Sequence, residues 1–318
     1  MATVETVRGL VPAAELGPAL LHEHILIASP EGIENYNHAW GAPWWDEEAG
    51  VANAVAQLRA VHDAGIRTVV DPTAFGLSRN VRRIARVNAQ VDVHIAVCTG
   101  VYAFLELPGF LKYRSAGDLA ALFVRELREG IDDTGISAAF IKCAIEEHGV
   151  TGDIPVILDA VAAAARETGA PVMVHTNAAA RTGLLALDEL SRRGVEPSRI
   201  VIAHVGDSSD MGYVRGLARS GAMLGLDRFN STFSTDDGRI EMLLALLEEG
   251  HIAQLHLSHD ASTFADMIQG NAMFKDLHPS YLYIHERILP RLRDAGVTQA
   301  QLDEMFVANA RRFLAGSA

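Results

Sequence analysis

Short apolar runs of strand length alternate along this chain with longer stretches in which apolar residues recur at helical spacing. The runs fall at 19–27, 68–71, 94–99, 139–143, 171–175, 200–204, 223–226 and 255–258, and the amphipathic stretches between them include 51–64, 116–131, 154–168, 184–193 and 240–249. Strands alternating with helices are the mark of repeated strand-helix units and a parallel sheet. Eight of them predict an α/β fold, a closed (β/α)8 TIM barrel. Glycines 65, 169 and 194 stand where helical stretches end, the position that favours a left-handed cap. No linker interrupts the pattern, so residues 1–318 are expected to form one domain, with a leading segment at 1–18 and a closing helix at about 302–314.

Three connections are longer than a barrel requires: 28–50, 101–115 and 261–280. Each follows a strand, which places it at the C-terminal mouth where barrel enzymes carry their specificity. The first contains Tyr36, Trp40, Trp44 and Trp45, which either wall a pocket or pack a dimer contact.

Composition narrows the partners. Lys and Arg total 27 against 40 for Asp and Glu, a formal charge of −13 that argues against nucleic acid and anionic membrane surfaces. No stretch is long and apolar enough to span a membrane, and the N-terminus lacks the basic start and apolar run of a signal peptide. The only two cysteines, Cys98 and Cys143, offer no disulfide framework and suit a reducing cytoplasm; both read as small buried residues.

The chemistry collects at strand ends. In Leu21-His22-Glu23-His24, strand periodicity turns both imidazoles to one side, either as half of a metal site or as strand histidines satisfied by backbone partners. Lys142 sits in the apolar run Phe140-Ile141-Lys142-Cys143, where a charge is costly. A neutral buried amine can take up carbon dioxide as a carbamate, a two-oxygen ligand able to bridge two metals; an ion pair or a Schiff-base amine is the alternative. His175 and His204 close two successive apolar runs, and Asp260 follows the eighth, placed to complete a metal shell and to accept a proton from metal-bound water. His22, His24, Lys142, His175, His204 and Asp260 all fall in or near the C-terminal halves of five strands. His38, His62, His94, His148, His251, His256, His278 and His285 lack a second ligand nearby, and His259 is expected to give outer support at most.

These segments resemble the phosphotriesterase family of the amidohydrolase superfamily, and within it the phosphotriesterase-like lactonases. The resemblance rests on Thr6-Val7-Arg8-Gly9, Leu21-His22-Glu23-His24, Val70-Asp71-Pro72-Thr73, Thr99-Gly100-Val101-Tyr102, Phe140-Ile141-Lys142, Val174-His175-Thr176-Asn177, Ile202-Ala203-His204-Val205-Gly206-Asp207, Gly225-Leu226-Asp227-Arg228-Phe229 and Leu257-Ser258-His259-Asp260. It implies two divalent metal ions, one held by His22, His24 and Asp260 and the other by His175 and His204, bridged by carboxylated Lys142 and a hydroxide. Their identity (zinc, cobalt, manganese or iron) is left open. It also implies a homodimer and places Tyr102 and Arg228 beside the site as lactone determinants. Three positions depart from the family pattern. Asn230 stands where glycine is common, Phe264, Met267, Met273 and Phe274 where a tryptophan is expected, and Ala310 where proline is common.

The expected activity is hydrolysis of lactones, such as N-acyl homoserine lactones, by the bridging hydroxide, with promiscuous action on phosphotriesters and an apolar eighth loop holding the acyl chain. Rivals with the same site are a phosphotriesterase or a hydrolase of another ester, sugar lactone or small amide. A non-catalytic barrel would lack ligands, and a single-metal deaminase has no use for a bridging Lys142.

Overall fold

A computed structural model of the chain describes residues 2–39, 41, 43–267 and 280–315. Met273, Phe274, Trp40 and His278 lie outside the described residues. An antiparallel hairpin, β1 (Thr3–Thr6) and β2 (Gly9–Pro12), opens the chain. It is followed by β3 (Ala19–Leu20), β4 (His24–Ile27), β5 (Thr68–Asp71), β6 (His94–Gly100), β7 (Phe140–Ile145), β8 (Val172–Thr176), β9 (Ile200–Ile202), β10 (Met223–Leu226), β11 (Leu255–Leu257) and β12 (Ser262–Ala265).

Strands β3 and β5 to β11 form one eight-stranded sheet in sequential order, parallel throughout. Helices such as Glu47–Asp63, Ala116–Arg128, Ile154–Thr168, Thr182–Arg192 and Asp236–Glu248 cover its outer face. The ends meet at the mouth: β12 runs parallel to β4, His24 N donates to Ala261 O at 2.8 Å, and Asp260 N donates to His22 O at 3.1 Å. The architecture is the (β/α)8 barrel that the alternation predicts.

Strand periodicity sorts the core into two layers. Ala19, Leu21, Val70, Ala96, Cys98, Phe140, Met173, Val201 and Met223 fill the barrel, closed below by Phe313 and Leu314 of the last helix, Asn309–Ala315. Their strand neighbours Ile141, Cys143, Val172, Val174, Ile200, Ile202, Leu224 and Leu226 pack outward against the helices. Both cysteines are buried free thiols, Cys98 inside the barrel and Cys143 in the outer layer. Ala310 packs in the lower cluster. The glycines after three helices take positive φ (Gly65 93°, Gly169 75°, Gly194 83°), as their positions predict.

Three features differ from expectation. The run 19–27 is not one strand. It breaks at 21–23, where Glu23 N donates to Val70 O and His22 N to Ser258 Oγ in place of a continuous ladder. The run 200–204 stops at Ile202 because His204 turns left-handed (φ 66°) into the 3-10 turn Val205–Asp207. The closing helix contains a π-helical segment, Glu304–Ala308, between Gln299–Asp303 and Asn309–Ala315.

Candidate metal centre

Inward-facing alternation carries Lys142 and His175 above Phe140 and Met173, and Asp227 above Met223 and Gly225. Strands β6 and β7 approach closely here. Gly100 (φ 111°) lies against the Lys142 backbone, and a Cβ there would collide with the Lys142 carbonyl oxygen. All six expected residues converge. His22 Nε2 and His24 Nε2 lie 3.3 and 3.2 Å from Asp260 Oδ1. His204 Nε2 is 2.8 Å from His175 Nδ1, and Lys142 Nζ is 3.5 Å from His22 Nε2. His22, His24 and Asp260 form one of the groups whose ligand atoms could hold a metal ion.

The far sides of the rings explain which nitrogens face inward. Asp227 receives His22 Nδ1 on Oδ2 and His204 Nδ1 on Oδ1, both at 2.9 Å, and also accepts from His204 N at 2.9 Å. Burial raises its carboxyl, but the flanking His204 and His22 outweigh this and hold it well below the usual carboxylate range. His24 Nδ1 lies 2.8 Å from Thr73 Oγ1, which itself donates to Asp71. His175 is turned the other way, with Nε2 2.9 Å from Glu146 Oε1. An ionised acceptor on one nitrogen fixes the proton there and leaves a lone pair on the other.

By this network, Nε2 of His22, His24 and His204 and Nδ1 of His175 present lone pairs to one another and to Asp260. Burial favours the neutral rings of His22, His175 and His204: His22 is lowered to about 4, by burial first and then by Lys142, His175 is lowered, and His204 lies well below its ordinary value. Lone pairs facing each other at 2.8 Å repel in isolation and are favourable around a cation. The mixed nitrogen and oxygen donor set therefore fits first-row divalent metals.

Lys142 is 1% exposed, and burial lowers its pKa, as a reactive neutral amine requires. Arg228 donates from Nε to Asp260 Oδ2 at 2.8 Å and from Nη1 to Asp207 Oδ2 at 3.1 Å. Asp207 in turn accepts from the fully buried Arg239 at 2.6 Å. Tyr102 lies edge-on to the His175 ring, centroids 5.0 Å apart, with its hydroxyl 3.4 Å from Glu146 Oε1; burial and then Glu146 push its pKa up. His204 (φ 66°) and Asp260 (φ 52°) are both left-handed, strain of the kind held at functional sites.

Asp227, Asp71, Thr73, Glu146 and Glu23 carry supporting roles that the strand pattern did not assign. Asp71 and Asp227 do end or follow apolar strands, which is a legible signal. Glu23 has none: its Oε1 meets His259 Nδ1 at 2.6 Å and its Oε2 accepts from Ala261 N at 3.0 Å, tying the first strand to the eighth. His259 therefore serves the loop, as expected, and points away from the lone-pair cluster. Asn230 takes the left-handed conformation (φ 67°) that glycine favours. Phe264 packs against the first long loop. It stacks on Trp44 and meets the buried Trp45 edge-on at 4.6 Å, which makes those tryptophans packing residues. Met267 is exposed.

The chain matches the model of the phosphotriesterase family over residues 2–314. A phosphotriesterase homology protein of Mycobacterium tuberculosis is 39% identical over 98% of this chain and 97% of its own. A solved structure of the phosphotriesterase from Mycobacterium tuberculosis superposes with a TM-score of 0.92 at 39% identity, covering 98% of each chain. An aryldialkylphosphatase of Saccharolobus solfataricus is 31% identical over 95% of this chain and 96% of its own. Full-length agreement in sequence and fold makes this chain a member of the phosphotriesterase family, whose proteins are binuclear metal-dependent hydrolases.

Proposed function

We propose that the chain hydrolyses lactones, N-acyl homoserine lactones or related γ- and δ-lactones, with weaker action on phosphotriesters. The observation that carries this reading is the Tyr102 phenol, held protonated by burial and Glu146 and set edge-on against His175. A lactone leaves as a basic alkoxide that needs a proton, and a phenol at the site edge can donate to that ring oxygen. An aryl phosphotriester leaves as a stabilised phenolate and gains little from such a donor.

His22, His24 and Asp260 would hold one cation and His175 and His204 the other, with Lys142 bridging as its carbamate. The neutral Nζ attacks carbon dioxide, forming the N–C bond and releasing a proton. When bound, the cations supply a nucleophile from water at neutral pH and positive charge for the developing oxyanion. Asp260 would act as the proton-accepting carboxylate of the site, and Arg228, bonded to Oδ2, would orient it.

A second reading, phosphotriesterase activity, is supported by the name of the Saccharolobus relative. The two separate in a panel on metal-loaded enzyme comparing kcat/KM for acyl homoserine lactones of several chain lengths, γ- and δ-lactones, an aryl ester and paraoxon. Lactones are expected to lead by about a hundredfold, roughly 3 kcal/mol of differential transition-state binding. Tyr102→Phe should depress lactone turnover more than paraoxon turnover. Paraoxon leading the panel, or equal losses on both substrates in the variant, overturns the lactonase reading.

A further inference from the structure

Outside the barrel wall, between the first strand and the C-terminal helices, lies a cavity of about 160 Å³. Leu20, Ile66, Ile284, Leu289, Leu302 and Phe306 give it apolar walls. Both π-helical segments, Ile284–Ile288 and Glu304–Ala308, line it. Such segments insert an extra residue into a helix and recur at functional sites. At the rim stand His285 and Arg293, exposed and with no partner among the described residues, whereas the rim carboxylate Asp303 already accepts from Gln299 at 2.8 Å.

An apolar cavity of about 150 Å³ takes up a molecule the size of benzene, about six carbons. Here the mouth adds an unpaired guanidinium, which favours a carboxylate head. We propose that this cavity is a second ligand site, separate from the metal centre, for a monocarboxylate with a linear apolar tail of about six carbons or slightly more.

Its wall is hydrogen-bonded to the strands of the centre. Tyr281, lining the cavity, donates its hydroxyl to the His24 carbonyl at 2.6 Å. Ile284, also lining it, donates its N–H to His259 Nε2 at 3.0 Å, and the other nitrogen of that ring meets Glu23. A ligand pressing on this wall bears on the backbone that carries His24 and on the loop that carries Asp260.

The test is titration calorimetry of the metal-loaded enzyme with octanoate, and with octanol as the uncharged probe. Both are expected to bind. Arg293→Gln should weaken octanoate about fivefold, as an exposed ion pair allows, and leave octanol unchanged. Val307→Trp, which fills the cavity from its lining, should abolish binding of both, and Arg293→Gln should leave kcat/KM in the absence of probe unchanged. No octanoate binding at millimolar concentration, or binding undiminished by Val307→Trp, which would place the carboxylate at the metal centre, overturns the proposal.

Discussion

Arg228 grips the Asp260 oxygen that His22 and His24 leave free: its Nε lies 2.8 Å from Oδ2, while Oδ1 faces His22 and His24 at 3.3 and 3.2 Å. The arginine thus acts on the carboxylate assigned to proton transfer, beyond shaping the mouth. Burial raises the Asp260 carboxyl, but His22 and Arg228 outweigh it and hold it well below the usual range.

Removing the arginine removes one of those lowering influences. In Arg228→Gln the Asp260 pKa should rise, so the acidic limb of the kcat/KM profile moves to higher pH, and activity at the plateau falls by about tenfold to a hundredfold. A pH-rate series on lactone substrate reads both effects. An acidic limb that stays in place or moves down would show that Arg228 does not govern this carboxylate.

Asp227 is shared by two rings, and an amide cannot replace it, because one of its two acceptor positions becomes a donor facing an imidazole N–H. Asp227→Asn should lower metal affinity by about tenfold to a hundredfold, measured by competition with a chromophoric chelator. Unchanged affinity would mean that the inward lone pairs are fixed by something else.

The carboxylates near Lys142 are already engaged, Asp260 with Arg228 and Asp227 with two imidazoles, so neither is free to replace a bridging carbamate. Lys142→Ala should therefore abolish hydrolysis, and added formate or acetate should restore part of it by occupying the space left by the side chain. Full activity in the unsupplemented variant would sink the bridged two-metal reading.

His256 faces the barrel interior from the centre of β11, fully buried, with neither ring nitrogen bonded among the described residues. Burial lowers its pKa to about 4 from the ordinary 6.5. The folded chain refuses a proton that the unfolded chain accepts, so the neutral ring supports stability fully above pH 6.5 and progressively less as pH falls toward 4. The difference is about 3 kcal/mol. His256→Leu, with no buried polar group to satisfy, should be at least as stable at pH 7 and should lose about 3 kcal/mol less between pH 7 and 4, compared by urea unfolding at each pH. Parallel pH dependences in the two proteins would show that the ring is solvated inside the barrel.

The sequence by itself determined which faces are inside. A period of two in Phe140-Ile141-Lys142-Cys143 requires that, if Phe140 fills the barrel, Lys142 does too, and the same arithmetic turns His175 inward above Met173. The count of eight runs then gives the barrel, and strand-end positions bring the six metal-capable residues to one mouth. These are local consequences of backbone geometry, readable within a few residues.

Tertiary structure decided the pairings. That Asp227 serves His22 and His204, that Arg228 reaches Asp260, that Glu23 breaks the first run to bind the eighth-strand loop, and that Phe264 is spent on Trp44 and Trp45 all depend on register and barrel closure. Periodicity tells a residue which way to point. What it meets there comes from strands and loops far along the chain, whose relative height is set only when the ring of strands closes.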